Sequence, residues 1–253
     1  MYIFVYICTK SRIATTQFVK ENDSMARKST KANMYDRIYS SVRNDIIGGK
    51  YSGGSFLIES DLCEQFGVSR TPVREALIRL AQDNFLELVP NRGAFIPHIT
   101  INDIIELCDL RGANEGLAAM RCASHASEPL IQSLEASIHR EEALLGSEDP
   151  DSAKISEEDF FFHALLKKGC GNSRLEHTLD LIDNQMKRFT NISADRLAVS
   201  ATLPVSLQFH RQALEAIRTG DTFGAQTALI QHWSAMLHGY IERDLSGLLD
   251  TRL

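Results

Sequence analysis

Three observations mark this chain as a mainly α protein in two parts, a small N-terminal helix-turn-helix domain closed by a β-hairpin and a larger all-α C-terminal bundle. The first is the stretch Glu59 to Leu80, ESDLCEQFGVSRTPVREALIRL, in which a short polar helix, a glycine turn and a second helix follow one another. The second is a pair of short apolar runs just behind it, joined by Pro90-Asn91-Arg92-Gly93. The third is everything after Ile101, where apolar residues recur at helical spacing and no alternating strand pattern is found.

The first helix of the chain is expected around Tyr35, Ile38, Tyr39, Val42 and Ile46, one apolar face that Gly48-Gly49 terminates. Ser60 is expected to cap the next helix, which runs through Leu62 and Phe66 to a break at Gly67. Ser69 and Thr71 with Pro72 start the third. There Val73, Leu77 and Leu80 face inward at i, i+4, i+7, which leaves Arg70 and Arg74 near the opposite, exposed side. Leu86–Val89 and Ala94–Ile96 are then the strands of a hairpin whose tight turn uses a glycine for its positive φ. Helix-turn-helix plus hairpin is a winged helix; periodicity alone also admits an ordinary αα-hairpin.

Length and charge fit this division. A chain of 253 residues, 43% hydrophobic, buries two cores, one in a domain of about 65 residues and one in a domain of about 150. The formal charge of −6 is unevenly spread, at +4 over residues 1–33, −1 over 34–100 and −9 over 101–253. A nearly neutral N-terminal domain still binds nucleic acid if its arginines gather on one face, with modest, salt-sensitive non-specific affinity. Residues 1–33 are expected to be a disordered extension, and Met25 or Met34 would make a natural start. The five cysteines show no CxxC spacing and are expected to be reduced and structural in a cytoplasmic protein. No stretch approaches a membrane span or a secretory signal, so no membrane partner is expected.

In the C-terminal part, Asn102 or Thr100 caps a helix through Leu110, Leu117 and Ala123. Leu130–Leu145, Ser156–Lys168, Ser173–Asn191, Val205–Arg218 and Thr222–Leu245 follow, a bundle of about six helices. Asp159 and His163 stand at i, i+4 and so share a helix face. His210 lies ten residues before Gly220 and His232 twelve after it. At a rise of ~1.5 Å per residue both stand roughly 15–18 Å from the turn, level with each other in an antiparallel hairpin. Three imidazoles and a carboxylate converging in a bundle suit a divalent cation such as Zn²⁺, with Ni²⁺ and Mn²⁺ as alternatives. A lone histidine is more often core or surface than ligand, and His98, His125, His139, His177 and His238 are left so. Phe160, Phe161, Phe162 and Trp233 are expected to pack beside the ligands and keep the site dry.

Two resemblances add to this. Tyr35–Leu57, GVSRTPVREAL at Gly67–Leu77 and NRGAFI at Asn91–Ile96 resemble the N-terminal domain of the GntR family of bacterial winged-helix regulators. The resemblance implies that Ser69, Arg70, Thr71 and Arg74 meet phosphates and bases in the major groove, and that Arg92 and Gly93 of the wing reach the minor groove. Some relatives carry arginine where this chain has Ser60. EEDFFFHALLKKGCGN, FHRQALEAIRTGD and AQTALIQHW are similar to the FCD effector domain of the FadR subfamily. Its metal-binding members supply an aspartate and three histidines, matched here by Asp159, His163, His210 and His232.

The resemblance further implies a small carboxylate effector, such as a hydroxy acid or sugar acid, bound at the metal. Arg111 matches an arginine that often points into the family's cavity; it could equally bond Glu115 one turn on. Asn184 and Arg188, one turn apart, are weaker cavity candidates. The expected molecule is a homodimer on an inverted-repeat operator in double-stranded DNA, because one winged helix reads only a few base pairs. Two alternatives stay open, a metal-independent acyl-CoA sensor and a metalloenzyme with an appended DNA-binding module, although no general base stands out beside the four ligands.

Overall fold

The computed structural model describes residues 34–192 and 197–250, and the expectations for residues 1–33 lie outside the described residues. The chain divides into two compact units, with the boundary between His98 and Ile99.

In the first unit, helix α1 (34–47) turns Ile38, Tyr39, Val42 and Ile46 into the core and gives way to a left-handed Gly49. Strand β1 (Phe56–Leu57) precedes helix α2 (Glu59–Phe66), whose N-cap is Ile58 with no side-chain cap. Ser60 therefore lies inside the first turn rather than capping it, and bonds the carboxylate of Asp61 instead. Gly67 ends α2 at φ 64°, a left-handed conformation that costs glycine nothing. Helix α3 (Arg70–Gln82) starts at an extended Ser69 and buries Val73, Ala76, Leu77 and Leu80. The phenol of Tyr39 on α1 donates to Asp83 just beyond the end of α3, tying the two helices together.

Strands β2 (Glu87–Val89) and β3 (Gly93–Phe95) pair antiparallel as expected, but β1 adds to the far side of β3, giving a three-stranded sheet in the order β1-β3-β2. The hairpin turn carries two left-handed residues, Asn91 at φ 61° and Gly93 at φ 99°. At Gly93 the reason is double, since a Cβ there would also stand 2.4 Å from the carbonyl oxygen of Leu57 on β1.

The second unit contains helices α4 (Ile101–Ser124), α5 (Glu128–Leu145), α6 (Ser152–Gly169), α7 (Ser173–Ile192), α8 (Leu197–Thr219) and α9 (Thr222–Asp250). Thr100 and Asp103 form a capping box at the start of α4, each satisfying a backbone N–H that the first turn leaves free. Asp151 caps α6 by accepting from Ala153 and Lys154. The helix expected from Val205 begins earlier, at Leu197, and carries Pro204 within it. Helix α9 packs along both α4 and α8. Its approach to α4 is close because that face of α4 is glycine: a Cβ on Gly116 would lie 3.1 Å from Ile230 and 3.2 Å from the carbonyl of Gln226. The core runs through Ala118, Cys122, Leu134, Phe162, Leu166, Leu179, Ile217, Leu229 and Trp233. No helix among the described residues is long and apolar enough to cross a membrane.

Candidate functional site

Two places carry chemistry, one in each unit. In the first, the exposed face of α3 and the wing flank a groove of about 630 Å³ whose lining includes Ser60, Arg70, Arg74, Arg92 and Gly93. Ser69 and Thr71 are exposed at the mouth of α3. The guanidinium of Arg74 is held in a bidentate pair by Glu59, Nε to Oε1 at 3.1 Å and Nη2 to Oε2 at 3.0 Å. Arg92 lies over the ring of Phe56 at 4.9 Å. Two elements of different origin thus present three arginines to one concavity, a shape and charge that suit a polyanion.

In the second unit, Asp159 and His163 on α6 meet His210 on α8 and His232 on α9, with one potential ligand atom from each lying within 4.8 Å of the others. The Nε2 atoms of His163 and His210 are 3.4 Å apart. The carboxylate of Asp159 lies 3.9 Å from the first and 3.7 Å from the second. His210 and His232 do stand level across the α8–α9 turn, their ring centroids 5.1 Å apart. All three imidazoles are buried, and Asp159 is only 9% exposed. Phe162 stacks on His210 at 3.9 Å and Trp233 closes on His232 at 4.8 Å. Phe161 departs from expectation: it turns outward, 45% exposed, with the guanidinium of Arg140 over its ring.

Around these four runs a shell of buried charge, of which spacing along one helix allows only the Arg111–Glu115 pair. Glu115 on α4 lies 2.7 Å from His163 Nδ1, accepts from Arg111 Nε at 2.8 Å and accepts from the indole of Trp233 at 2.6 Å. Arg111, fully buried, reaches Asp183 on α7 at 3.1 Å, and Asp183 accepts from Lys167 at 2.6 Å. Lys167 sits one turn beyond His163 on α6, so the chain of alternating charges closes on the helix from which it started. Glu141 on α5 lies 3.0 Å from His210 Nδ1, and Ser206 donates to Asp159 at 2.7 Å.

Burial opposes ionisation of Glu115, but Arg111 and His163 outweigh it and hold the carboxyl well below the usual carboxylate range. Burial likewise lowers His163, and the Glu115 carboxylate beside it overturns that and raises the imidazole above its ordinary value. For His232, desolvation first and then the neighbouring imidazoles of His163 and His210 outweigh the pull of Glu115, and the imidazole is pushed well below the ordinary range. Arg111 thus takes the intrahelical partner that its spacing allowed and a second carboxylate besides. Arg188 is buried on α7 with its guanidinium lowered by desolvation, and Asn184 is half-buried one turn before it. The signal for Glu141 was present in the sequence: it continues the buried stripe of Leu134 and Ile138, a charge where periodicity calls for an apolar residue.

The model for bacterial regulatory proteins of the gntR family matches residues 34–96, and the FCD domain model matches residues 106–235. The chain is 28% identical over 196 residues to the HTH-type transcriptional repressor RspR of Escherichia coli (strain K12), spanning 78% of this chain and 84% of the relative. It is 28% identical over 168 residues to the gluconate operon transcriptional repressor of Bacillus subtilis (strain 168), spanning 66% and 68%. Among solved structures, E. coli McbR/YncC superposes with a TM-score of 0.64 over 82% of this chain and 98% of the other, at 19% identity, a likeness of fold. With both domain models matched in order, the FCD model over just more than half of the sequence, this chain belongs to the GntR family of bacterial regulatory proteins with an FCD domain, a DNA-binding transcriptional regulator.

Proposed function

We propose that this regulator is a homodimeric repressor whose affinity for an inverted-repeat operator is controlled by a small carboxylate effector bound at a divalent metal in the C-terminal unit. The reading of the first unit rests on Arg70, Arg74 and Arg92 lining one groove. Repression is carried over from the named relatives, RspR and the gluconate operon repressor.

The observation that carries the metal reading is charge balance. Arg111 offsets Glu115, and Lys167 offsets Asp183. Glu141 and Asp159 make close contacts only with a hydroxyl and imidazoles among the described residues, and Arg111 acts on Asp159 only at longer range. Two buried carboxylates without a directly paired lysine or arginine are costly, and one divalent ion supplies charge at close range. Both nitrogens of His232 lack a hydrogen-bond partner among the described residues although the ring is fully buried, and a cation is a partner that such a nitrogen suits. The 3.4 Å between His163 Nε2 and His210 Nε2 is also close to the separation of about 3.3 Å expected of two nitrogens on a tetrahedral Zn²⁺ with bonds of ~2.0–2.1 Å. Asp159, His163, His210 and His232 would hold the ion, which with four protein ligands keeps room for an anionic oxygen. Zinc is the first choice and nickel or manganese the alternatives.

On this reading Arg111, Asn184 and Arg188 are the candidate effector contacts, and Asp183 is the group that an effector carboxylate would displace from Arg111. A ligand that prefers one arrangement of α4, α6, α8 and α9 shifts the protein toward it and changes the operator affinity by the same factor that DNA changes effector affinity. The test is operator binding with candidate hydroxy acids and sugar acids, on protein as purified and on protein stripped of metal as checked by elemental analysis. The expected result is an effector response that stripping or His210→Ala abolishes while DNA binding persists. A normal response from verified metal-free protein would refute the mechanism.

A further inference from the structure

Two of the three clustered imidazoles have a buried carboxylate at Nδ1, and the third has none. Glu141 is hydrogen-bonded to His210 Nδ1 at 3.0 Å, and Glu115 lies at ion-pair distance, 2.7 Å, from His163 Nδ1 without the alignment of a hydrogen bond. Neither glutamate is more than 2% exposed. Among the described residues neither ring nitrogen of His232 has a hydrogen-bond partner, and no carboxylate stands at either. An imidazole that gives its Nδ1–H to a carboxylate is locked in one tautomer and one ring orientation, with the Nε2 lone pair on the far side. On that far side the Nε2 atoms of His163 and His210 face each other beside Asp159.

We infer that Glu141 and Glu115 are positioning residues of the metal site, Glu141 fixing His210 as an Nε2 ligand through its hydrogen bond and Glu115 drawing His163 to the same role through the ion-pair contact, and that the orientation of His232 is set by the ion itself. The inference rests on the metal reading above. The two glutamates are not equivalent. Glu115 also anchors Arg111 and Trp233, so its removal disturbs the fold as well as the ligand. Among the described residues Glu141 hydrogen-bonds His210 alone, and its other oxygen, Oε1, is buried without a hydrogen-bond partner. A carboxylate so placed is a poor device for stability, because burying it uncompensated costs more than one hydrogen bond returns. Its presence is explained if its purpose is to aim and strengthen a ligand.

The experiment uses the full chain and the Glu141→Gln variant. Zinc affinity is measured by competition with a chromophoric chelator, thermal stability is measured on metal-free protein, and the imidazoles of the zinc-loaded wild type are examined by ¹⁵N NMR. Glu141→Gln is expected to weaken zinc binding about 10- to 100-fold, the usual cost of losing such a partner. It should leave the metal-free melting temperature unchanged or raised, whereas a glutamate kept only for structure would lower it. In zinc-loaded wild type, His163 and His210 should each show a protonated Nδ1 and a metal-bound Nε2. Wild-type protein that binds zinc, with a variant that binds it equally well, would overturn the inference and leave the metal reading standing. So would coordination of His210 through Nδ1, a result that requires no variant to fold. Wild-type protein that binds neither zinc, nickel nor manganese would overturn the metal reading and the inference together.

Discussion

Glu115→Ala should destabilise the C-terminal unit more than any other single truncation of a charged residue in it. The carboxylate is 2% exposed and serves three buried groups at once: it accepts from Arg111 Nε at 2.8 Å and from Trp233 Nε1 at 2.6 Å, and it lies 2.7 Å from His163 Nδ1 as an ion-pair contact. Removing one partner of a buried ion pair costs about 3–5 kcal/mol, because the other charge stays behind in low dielectric. An unsatisfied indole N–H adds about 1–3 kcal/mol by itself. The two do not simply add, since Arg111 keeps Asp183 and the cavity can admit water. The expected total is therefore about 3–5 kcal/mol, a large share of the ~5–15 kcal/mol that holds an ordinary domain together.

The assay is urea unfolding followed by the fluorescence of Trp233, the chain's single tryptophan and itself a partner of Glu115. The probe reports on the C-terminal unit alone, and operator binding in the absence of effector checks the winged helix separately. Glu115→Gln, which keeps one acceptor and the shape, should lose less than Glu115→Ala. A loss below about 1 kcal/mol for the alanine variant would mean that Arg111, His163 and Trp233 find other partners easily, and the central role given to this carboxylate would be wrong.

Two further outcomes concern the DNA-reading unit. Arg70→Ala and Arg74→Ala should each lower operator affinity roughly 5- to 150-fold in a gel-shift or anisotropy titration at fixed salt. The melting temperature should barely move, because the Arg74–Glu59 pair is a surface pair whose worth is screened by solvent; unchanged operator affinity in both variants would remove α3 from the interface. Gly93→Ala should weaken the wing, since φ 99° and the carbonyl of Leu57 at 2.4 Å leave no room for a methyl group. Backbone strain of this kind costs about 1–3 kcal/mol and should appear as lost β1–β3 amide protection in hydrogen exchange.

The local order of helices, the left-handed break at Gly67 and the wing turn at Gly93 could be argued from the sequence because each depends on contacts within a few residues. The same holds for the pairing of Asp159 with His163, one helical turn apart, and for the level placement of His210 and His232, which needs only the rise of a helix and the position of one turn. Where a competing local interaction existed, as at Ser60, sequence reasoning chose wrongly: the N-cap is Ile58, two residues earlier, behind the two-residue strand β1 that pairs with β3 across more than thirty residues of chain.

Apart from the Arg111–Glu115 pair and the packing of Phe162 and Trp233, what surrounds the four candidate ligands was decided by tertiary structure. Glu141 approaches His210 from 69 residues away, Trp233 reaches Glu115 across 118, and Asp183 and Lys167 meet Arg111 only because α4, α6 and α7 pack together. Spacing along one helix fixes which side chains share a face, but not which charge on another helix will be buried against it. A buried charge is tolerated only where the assembled neighbours offset it, so its meaning resides in the packed bundle and not in the order of residues.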